Sequence, residues 1–360
     1  MTESLLVVVA AGSTPDITPE TMVAGLPIGR RQALAGARAG LVTAPSSEPG
    51  RRRVILVPSN VIPQPRWLRA LAVMPLEPET LWVDPAQVLV VDTQDPKPVL
   101  DAAGRATSAA ECVAALKAQF ATIEGTADPL GRFAVHVAGD LRRAEAWLLH
   151  GLIKDSEGFM SRYVERLVSL ALTRRLVWTQ ITPNTMTLVS LAIGLSAAPF
   201  FLTSTPGWQL AGALLFLLHS ILDGCDGEIA RLKFLESPGG AALDFWGDNS
   251  VHVLVFACMG VSWSLSVHST WPLAVAAFAV ASTLVAAIIE APRMISQSVA
   301  AESRSAGAKT ADALANRDFI YLIVALAVFG KAAWFIVFVA IGTPIFVLVR
   351  LWADRPHGKG

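Results

Sequence analysis

Hydrophobic and polar positions change rhythm near the middle of this 360-residue chain. Up to about residue 155, short apolar runs alternate with mixed stretches. "LLVVVAAG" at 5–12, "RVILVP" at 53–58, "VLVVD" at 88–92 and "RFAVHV" at 132–137 have the length and Val content of strands. Between and after them come "GRRQALAGARAG" (29–40), "PRWLRALA" (65–72), "AECVAALKAQF" (110–120) and "DLRRAEAWLLHGLI" (140–153), which repeat at helical spacing. Alternating β and α predicts an α/β domain on a parallel sheet over residues 1–153. The opening "MTESLLVVVAAGSTPD" has no basic start, and its apolar run is short, so it reads as a buried strand and not as a signal peptide.

From about residue 184 the apolar stretches lengthen, to 185–203, 208–222, 241–263, 271–291, 319–330 and 332–352. Most approach the ~20 residues that cross a bilayer core as helix. The fifth is short, and the break at Gly330–Lys331 makes it one arm of a helical hairpin with the sixth. The pattern predicts an all-α, six-helix transmembrane domain over 183–354. Thr182 as N-cap and Pro183 at the first helical position would start it. Just before lies "EGFMSRYVERLVSLALTRRLVWTQ", in which Phe159, Tyr163, Val164, Leu167 and Val168 recur at roughly helical spacing among arginines. Residues 154–182 therefore predict an amphipathic helix lying in the membrane interface. The alternative is a linker packed on the soluble domain.

Composition sharpens this division. Mean hydropathy is +0.51 and only 16% of residues are charged, too apolar for a soluble enzyme of this length. The formal net charge is zero, which predicts no nucleic-acid partner. Cys112, Cys225 and Cys258 suit neither a disulfide framework nor a zinc site. With the first span starting inside, the inner segments hold Arg162, Arg166, Arg174, Arg175, Arg231, Lys233, Arg293, Arg304, Lys309, Arg317, Arg350, Arg355 and Lys359, against Lys331 alone outside. That bias predicts a multi-pass inner-membrane protein with both termini and the soluble domain in the cytoplasm.

Candidate chemistry interrupts the most apolar part of the chain. "LDGCDGEIARLKFLESPGGAALDFWGDN" (222–249) carries Asp223, Asp226, Asp244 and Asp248. Asp223 and Asp226 are three apart and Asp244 and Asp248 four apart, so each pair shares a helix face. The short linker with Pro238, Gly239 and Gly240 makes the two helices neighbours, and two carboxylates from each can face one another at the inner boundary. Each mid-membrane aspartate costs about 2.5–3.5 kcal/mol on an insertion scale, and four together repel unless a cation compensates. Hard oxygen ligands of this kind suit Mg²⁺ or Mn²⁺ and speak against zinc. Arg231 adds a fork suited to phosphate. Metal, arginine and membrane face together point to phosphoryl transfer at the lipid boundary. A cation or proton transporter is the contrasting reading, and it predicts the acids near the bilayer midplane. His219 and His252 lie nearby in apolar helix and are assigned to packing.

Written as D-x2-D-G-x2-A-R-x8-G-x3-D-x3-D, the stretch supplies Asp223, Asp226, Gly227, Ala230, Arg231, Gly240, Asp244 and Asp248 without departure. It resembles the signature of the CDP-alcohol phosphotransferase family of membrane enzymes, as does "TPNTMT" at 182–187 upstream. The resemblance spans roughly 155–352. It implies divalent metal on Asp223, Asp226 and Asp244, with Asp248 as general base and a further candidate ligand. It also implies a CDP pocket lined by Asp223, Gly227, Ala230, Arg231 and Gly240. The implied reaction moves a substituted phosphate from a CDP-alcohol, either CDP-diacylglycerol or a CDP-activated polar alcohol, to a hydroxyl acceptor, with release of CMP in phospholipid or polar-lipid synthesis. A homodimer among membrane lipids is implied as well. Arg293, Arg304, Lys309 and Arg317 flank the loop after the fourth span and are candidates for an anionic acceptor such as a sugar phosphate.

The strand running into "AAGSTPD" is similar to the opening of sugar-nucleotide nucleotidyltransferases. The arrangement resembles fusions of a cytidylyltransferase with a di-inositol-phosphate phosphate synthase domain. Here Ser13, Thr14, Pro15 and Asp16 replace the glycine-rich basic loop, and no lysine precedes Lys97. The first domain is therefore expected to be a silent nucleotidyltransferase-like fold. The alternative is a bifunctional enzyme whose first domain makes the CDP donor.

Overall fold

The structure, a computed structural model, describes residues 4–12, 16–43, 52–153, 160–297 and 319–353. The chain forms two compact units, Met1–His150 and Gly151–Gly360.

In the first unit, β1 (Ser4–Val9), β4 (Arg52–Pro58), β6 (Thr80–Val83), β7 (Leu89–Thr93) and β8 (Ala121–Glu124) make one sheet in the order β1-β4-β7-β6-β8. Two short hairpin strands, β2 (Met22–Val23) and β3 (Leu26–Pro27), precede helix α1 (Ile28–Ala39). Helices α2 (Pro65–Val73), α3 (Lys97–Arg105), α4 (Ala109–Lys117) and α5 (Leu141–His150) complete the α/β class expected from the sequence. The sheet is mixed, however, and not parallel throughout. β1·β4 and β6·β8 are parallel, whereas β4·β7 and β6·β7 are antiparallel. The reason is local. The Ala86 N–H donates to Asp84 Oδ1 at 2.8 Å, and Gln87 takes a left-handed φ of 60°, so residues 84–88 fold β6 back onto β7 as a hairpin.

The strand expected at 132–137 is also corrected. It shortens to β9 (Arg132–Ala134) and pairs with β5 (Val61–Pro63) in a separate ribbon. The Asp140 carboxylate accepts from the His136 and Val137 N–H groups at 3.0 and 3.2 Å, which removes the donors that a longer strand would need. Those two bonds hold the partly buried Asp140 carboxyl below its ordinary range.

Asp92, a conceivable metal ligand at a strand end, is spent on structure. It sits directly opposite Arg53 in the β4·β7 register and pairs with its guanidinium at 3.2 Å. The same guanidinium donates to the carbonyls of Leu71, Ala72 and Met74. Arg31 is buried as well, donating to the carbonyls of Val23 and Ala24. Beyond the end of β1, Gly12 takes a φ of +89°, and a Cβ there would stand 2.7 Å from the Ser108 Cβ. Ser108 is the N-cap of α4, so the turn after β1 packs on that helix start.

The second unit opens with a π-helical turn, Ser161–Glu165, that runs into α6 (Arg166–Leu176). It continues as α7 (Pro183–Ala197), α8 (Pro206–Lys233), α9 (Pro238–Val267), α10 (Trp271–Gln297), α11 (Phe319–Val328) and α12 (Phe335–Ala353). Among the described residues, five segments are long and apolar enough to cross a membrane: Pro183–Leu202, Pro206–Lys233, Pro238–Val267, Trp271–Pro292 and Ala332–Trp352. Phe319–Val328 is the short helix anticipated before the Gly330–Lys331 break. Thr182 caps α7, accepting from the Thr185 N–H at 3.3 Å, and Pro183 follows at the first turn. Ser237 caps α9 in the same way, accepting from the Gly240 N–H at 3.0 Å. The second apolar stretch stops at residue 222, yet α8 continues through the acids to Lys233. Phe201, Phe216, Val255, Phe256, Met259, Ile323 and Ile336 form its core. Leu188, Leu214, Phe278, Ile288, Phe338, Ile341 and Leu348 stay exposed on the outside, an envelope suited to hydrocarbon.

The helix ahead of the first span is amphipathic, as expected, with Phe159 outside the described residues. Its faces are reversed relative to a helix in water. Glu165, Ser169 and Thr173 are buried, while Tyr163 and Leu167 are 63% and 73% exposed. The polar side packs on α8, where Arg166 Nη1 and Ser169 Oγ both donate to Glu228 Oε1 at 2.6 Å. The outward apolar side suits lipid.

Candidate active site

Helical spacing and the short Phe234–Ser237 link bring α8 and α9 together at one end of the bundle. Asp223 and Asp226 of α8 and Asp244 of α9 each contribute a carboxylate oxygen to a group whose members lie within 4.8 Å of one another. Asp223 and Asp226 are each 5% exposed. Asp244 Oδ1 is buried and has no hydrogen-bond partner among the described residues. Three anionic groups converging around a buried oxygen without a donor fit a cation, and their all-oxygen chemistry fits a hard divalent ion.

The fourth aspartate stands apart. Asp248 lies one turn beyond Asp244 on α9 and outside the group of three. Its Oδ1 is 3.2 Å from His219 Nε2, and the side chain is 20% exposed. His219 lies one turn before Asp223 on α8, so the carboxylate trio and the His219–Asp248 pair form two successive rungs between the helices. A cavity of about 10 Å³ beside the second rung is lined by His219, Ser220, Asp248 and His252 with Phe216 and Ile320. That is about the size of one water molecule.

A single stripe of α7, buried at Thr187, Ser190 and Gly194, backs both rungs. The Thr187 hydroxyl donates to Asp226 Oδ2. The Ser190 carbonyl accepts from His219 Nδ1 at 2.9 Å. Gly194 leaves room for the imidazole, because a Cβ there would stand 2.8 Å from His219 Cγ. Sequence reasoning missed Thr187 and assigned His219 to packing. The signals were present: Thr187 closes "TPNTMT", and His219 falls four residues before Asp223.

The other candidate residues divide. Gly227 lies against the Arg231 guanidinium, with Nη1 3.3 Å from where its Cβ would be. Ala230 is buried on α8 beside them. Gly240 stands at the start of α9 near the Asn184 side chain of α7. Arg293 belongs to α10, where its backbone alone is described, and Arg304, Lys309 and Arg317 lie outside the described residues.

A bundle of apolar helices with a carboxylate cluster set between two of them at one end defines a membrane-embedded acidic site. Residues 180–346 match the family model of CDP-alcohol phosphatidyltransferases. That match and the apolar helices together make the chain an integral membrane protein.

Among curated proteins, a bifunctional IPC transferase and DIPP synthase of Archaeoglobus fulgidus is 39% identical over 123 residues, which are 34% of this chain and 24% of that protein. The inner membrane protein YnjF of Escherichia coli is 46% identical over 68 residues, 18% of this chain and 32% of that protein. The chain thus aligns with about a quarter to a third of the length of these relatives. Among solved structures, Mycobacterium tuberculosis phosphatidylinositol phosphate synthase with CDP-DAG bound aligns with a TM-score of 0.37 at 17% identity, covering 52% of this chain and 93% of that one.

Proposed function

We propose that this protein transfers a substituted phosphate group from a CDP-alcohol to a hydroxyl acceptor and releases CMP. One observation carries the reading: Asp223, Asp226 and Asp244 converge from two adjoining helices in the segment that matches the family model, with Asp244 Oδ1 buried and without a donor among the described residues. Asp223, Asp226 and Asp244 would hold the divalent metal, Mg²⁺ or Mn²⁺. Bound there, the metal would neutralise pyrophosphate oxygens and stabilise the departing CMP.

The remaining steps belong to the chain's own residues. Arg231, beside Gly227, offers donors to a phosphate of the CDP group. Asp248 accepts the proton of the acceptor hydroxyl as its oxygen bonds to the β-phosphorus. The bond from that phosphorus to the CMP oxygen breaks, and CMP leaves with the electron pair. Asp248 suits the base because it lies outside the metal-holding trio, partly exposed, one turn deeper.

The Lys and Arg bias supports a site at the cytoplasmic face of the inner membrane, with the α/β half (1–153), the interfacial segment (154–182) and both termini on that side. Family resemblance supports a homodimer. Relatives that are bifunctional IPC transferases and DIPP synthases support inositol-phosphate-like chemistry at the acceptor. Arg293, Arg304, Lys309 and Arg317 are the proposed contacts for an acceptor phosphate. The α/β half is proposed to be a silent nucleotidyltransferase-like unit.

CMP release from a panel of CDP-diacylglycerol and CDP-activated polar alcohols, each with inositol phosphate or other hydroxyl acceptors, tests the reading in detergent. The expected result is metal-dependent CMP formation from one donor–acceptor pair, abolished by chelation and restored by Mg²⁺ or Mn²⁺. No CMP from any pair with metal present would remove the reading.

A further inference from the structure

We infer that His219 is a positioning residue for Asp248, fixing that carboxylate in the direction from which it takes the acceptor's proton. The inference rests on Asp248 being the base proposed above.

Both ring nitrogens of His219 are committed. The Ser190 carbonyl can only accept, so Nδ1 carries a hydrogen toward it at 2.9 Å. Nε2 is thereby aimed at Asp248 Oδ1, 3.2 Å away, and it holds the ionised carboxylate as a donor, so the pair requires a hydrogen on both ring nitrogens. The ring has no freedom to turn about that axis. Phe216 stacks on it with centroids 6.1 Å apart and planes 23° from parallel. On the α7 side, Gly194 admits the ring only because it has no Cβ. His219 is 3% exposed, so bulk solvent is held away from the ring.

Asp248 is not one of the three carboxylates that converge as a group. An aspartate has two rotatable side-chain bonds. Unheld, this one could swing toward the metal cluster one turn away or toward the adjoining cavity. A histidine that merely filled space in the core would need no carboxylate at Nε2. Here α7 provides a carbonyl for one nitrogen and clearance for the ring, and the other nitrogen meets the catalytic carboxylate. Misplacing a reacting group by about 1 Å can cost ~100-fold in rate.

Two substitutions separate positioning from packing. Glutamine at 219 places an amide nitrogen near the site of Nε2, where it can still hold Asp248. Asparagine places one near Nδ1, where it can satisfy only Ser190. With the active donor–acceptor pair, His219→Asn is expected to lower kcat about 100-fold with an unchanged KM for the donor, and His219→Gln to lose less than about tenfold. Equal losses in the two variants, or a change confined to KM, would overturn the inference. A second measurement does not depend on turnover or on altering His219. In ¹⁵N-histidine NMR of the protein in micelles, Asp248→Asn should move the His219 ring resonances and Asp226→Asn should not. A spectrum insensitive to Asp248→Asn would sink the inference whatever the activity, whereas absence of CMP from wild-type protein would sink only the reading of the reaction.

Discussion

Thr187 of α7 donates its hydroxyl hydrogen to Oδ2 of Asp226 across the packing of α7 on α8. Asp226 belongs to the carboxylate trio, so this bond decides which of its lone pairs remains to face Asp223 and Asp244. Thr187→Val keeps the shape and removes the donor. The concentration of Mg²⁺ or Mn²⁺ giving half-maximal CMP release is expected to rise about 10- to 100-fold, as when outer partners of metal ligands are lost. An unchanged metal titration would show that Asp226 needs no such support.

Asp248 and Asp244 are expected to fail differently when made amides. Asp248→Asn should cut turnover by about 10²- to 10⁴-fold, the usual contribution of a general base, while metal and donor still bind. Asp244→Asn should weaken metal binding itself, because it removes a charge from the trio. Calorimetric titration of metal and CDP donor into each variant separates the two, and equal metal affinity in both would contradict the division of roles.

Glu228 is fully buried and meets Arg166 and Ser169 of α6. Glu228→Ala leaves the Arg166 guanidinium without its carboxylate, a loss of about 3–5 kcal/mol for a broken buried pair. Replacing both residues with methionine should recover most of it. Midpoints of denaturation in mixed micelles measure this, and a double variant no more stable than Glu228→Ala would argue against the pair.

In the α/β half, Arg31 and Arg53 donate to backbone carbonyls, and Gly12 is pressed against Ser108 where β1 ends. Mixing the protein with CTP, Mg²⁺ and a sugar phosphate is expected to release no pyrophosphate above background. Release that scales with protein concentration would make this half an active nucleotidyltransferase.

What could be read from the sequence was whatever depends on near neighbours. The spacing of Asp223, Asp226 and Asp244, with a link too short to separate their helices, places three acids together before any coordinates exist. The caps at Thr182 and Ser237 follow from residues three positions apart. His219, Thr187 and Glu228 were not legible in the same way. Each gains its role from a helix 29 to 62 residues away in the chain, and a polar residue in an apolar run does not announce which neighbour it will meet. The sheet shows the same limit. β8 is exposed along its whole length and so lacks the alternation that marks a strand, and the return of β6 onto β7 turns on Asp84 and Gln87.

The reversed faces of the helix ahead of the first span set an order on biogenesis. Glu165, Ser169 and Arg166 leave the ribosome some fifty residues or more before Glu228 and Ser220, the groups they bond. Until α8 has been made and inserted, that helix cannot settle with its leucines in acyl chains without stranding two charges beside them. Its docking is therefore a late event, completed only after the second crossing is in place.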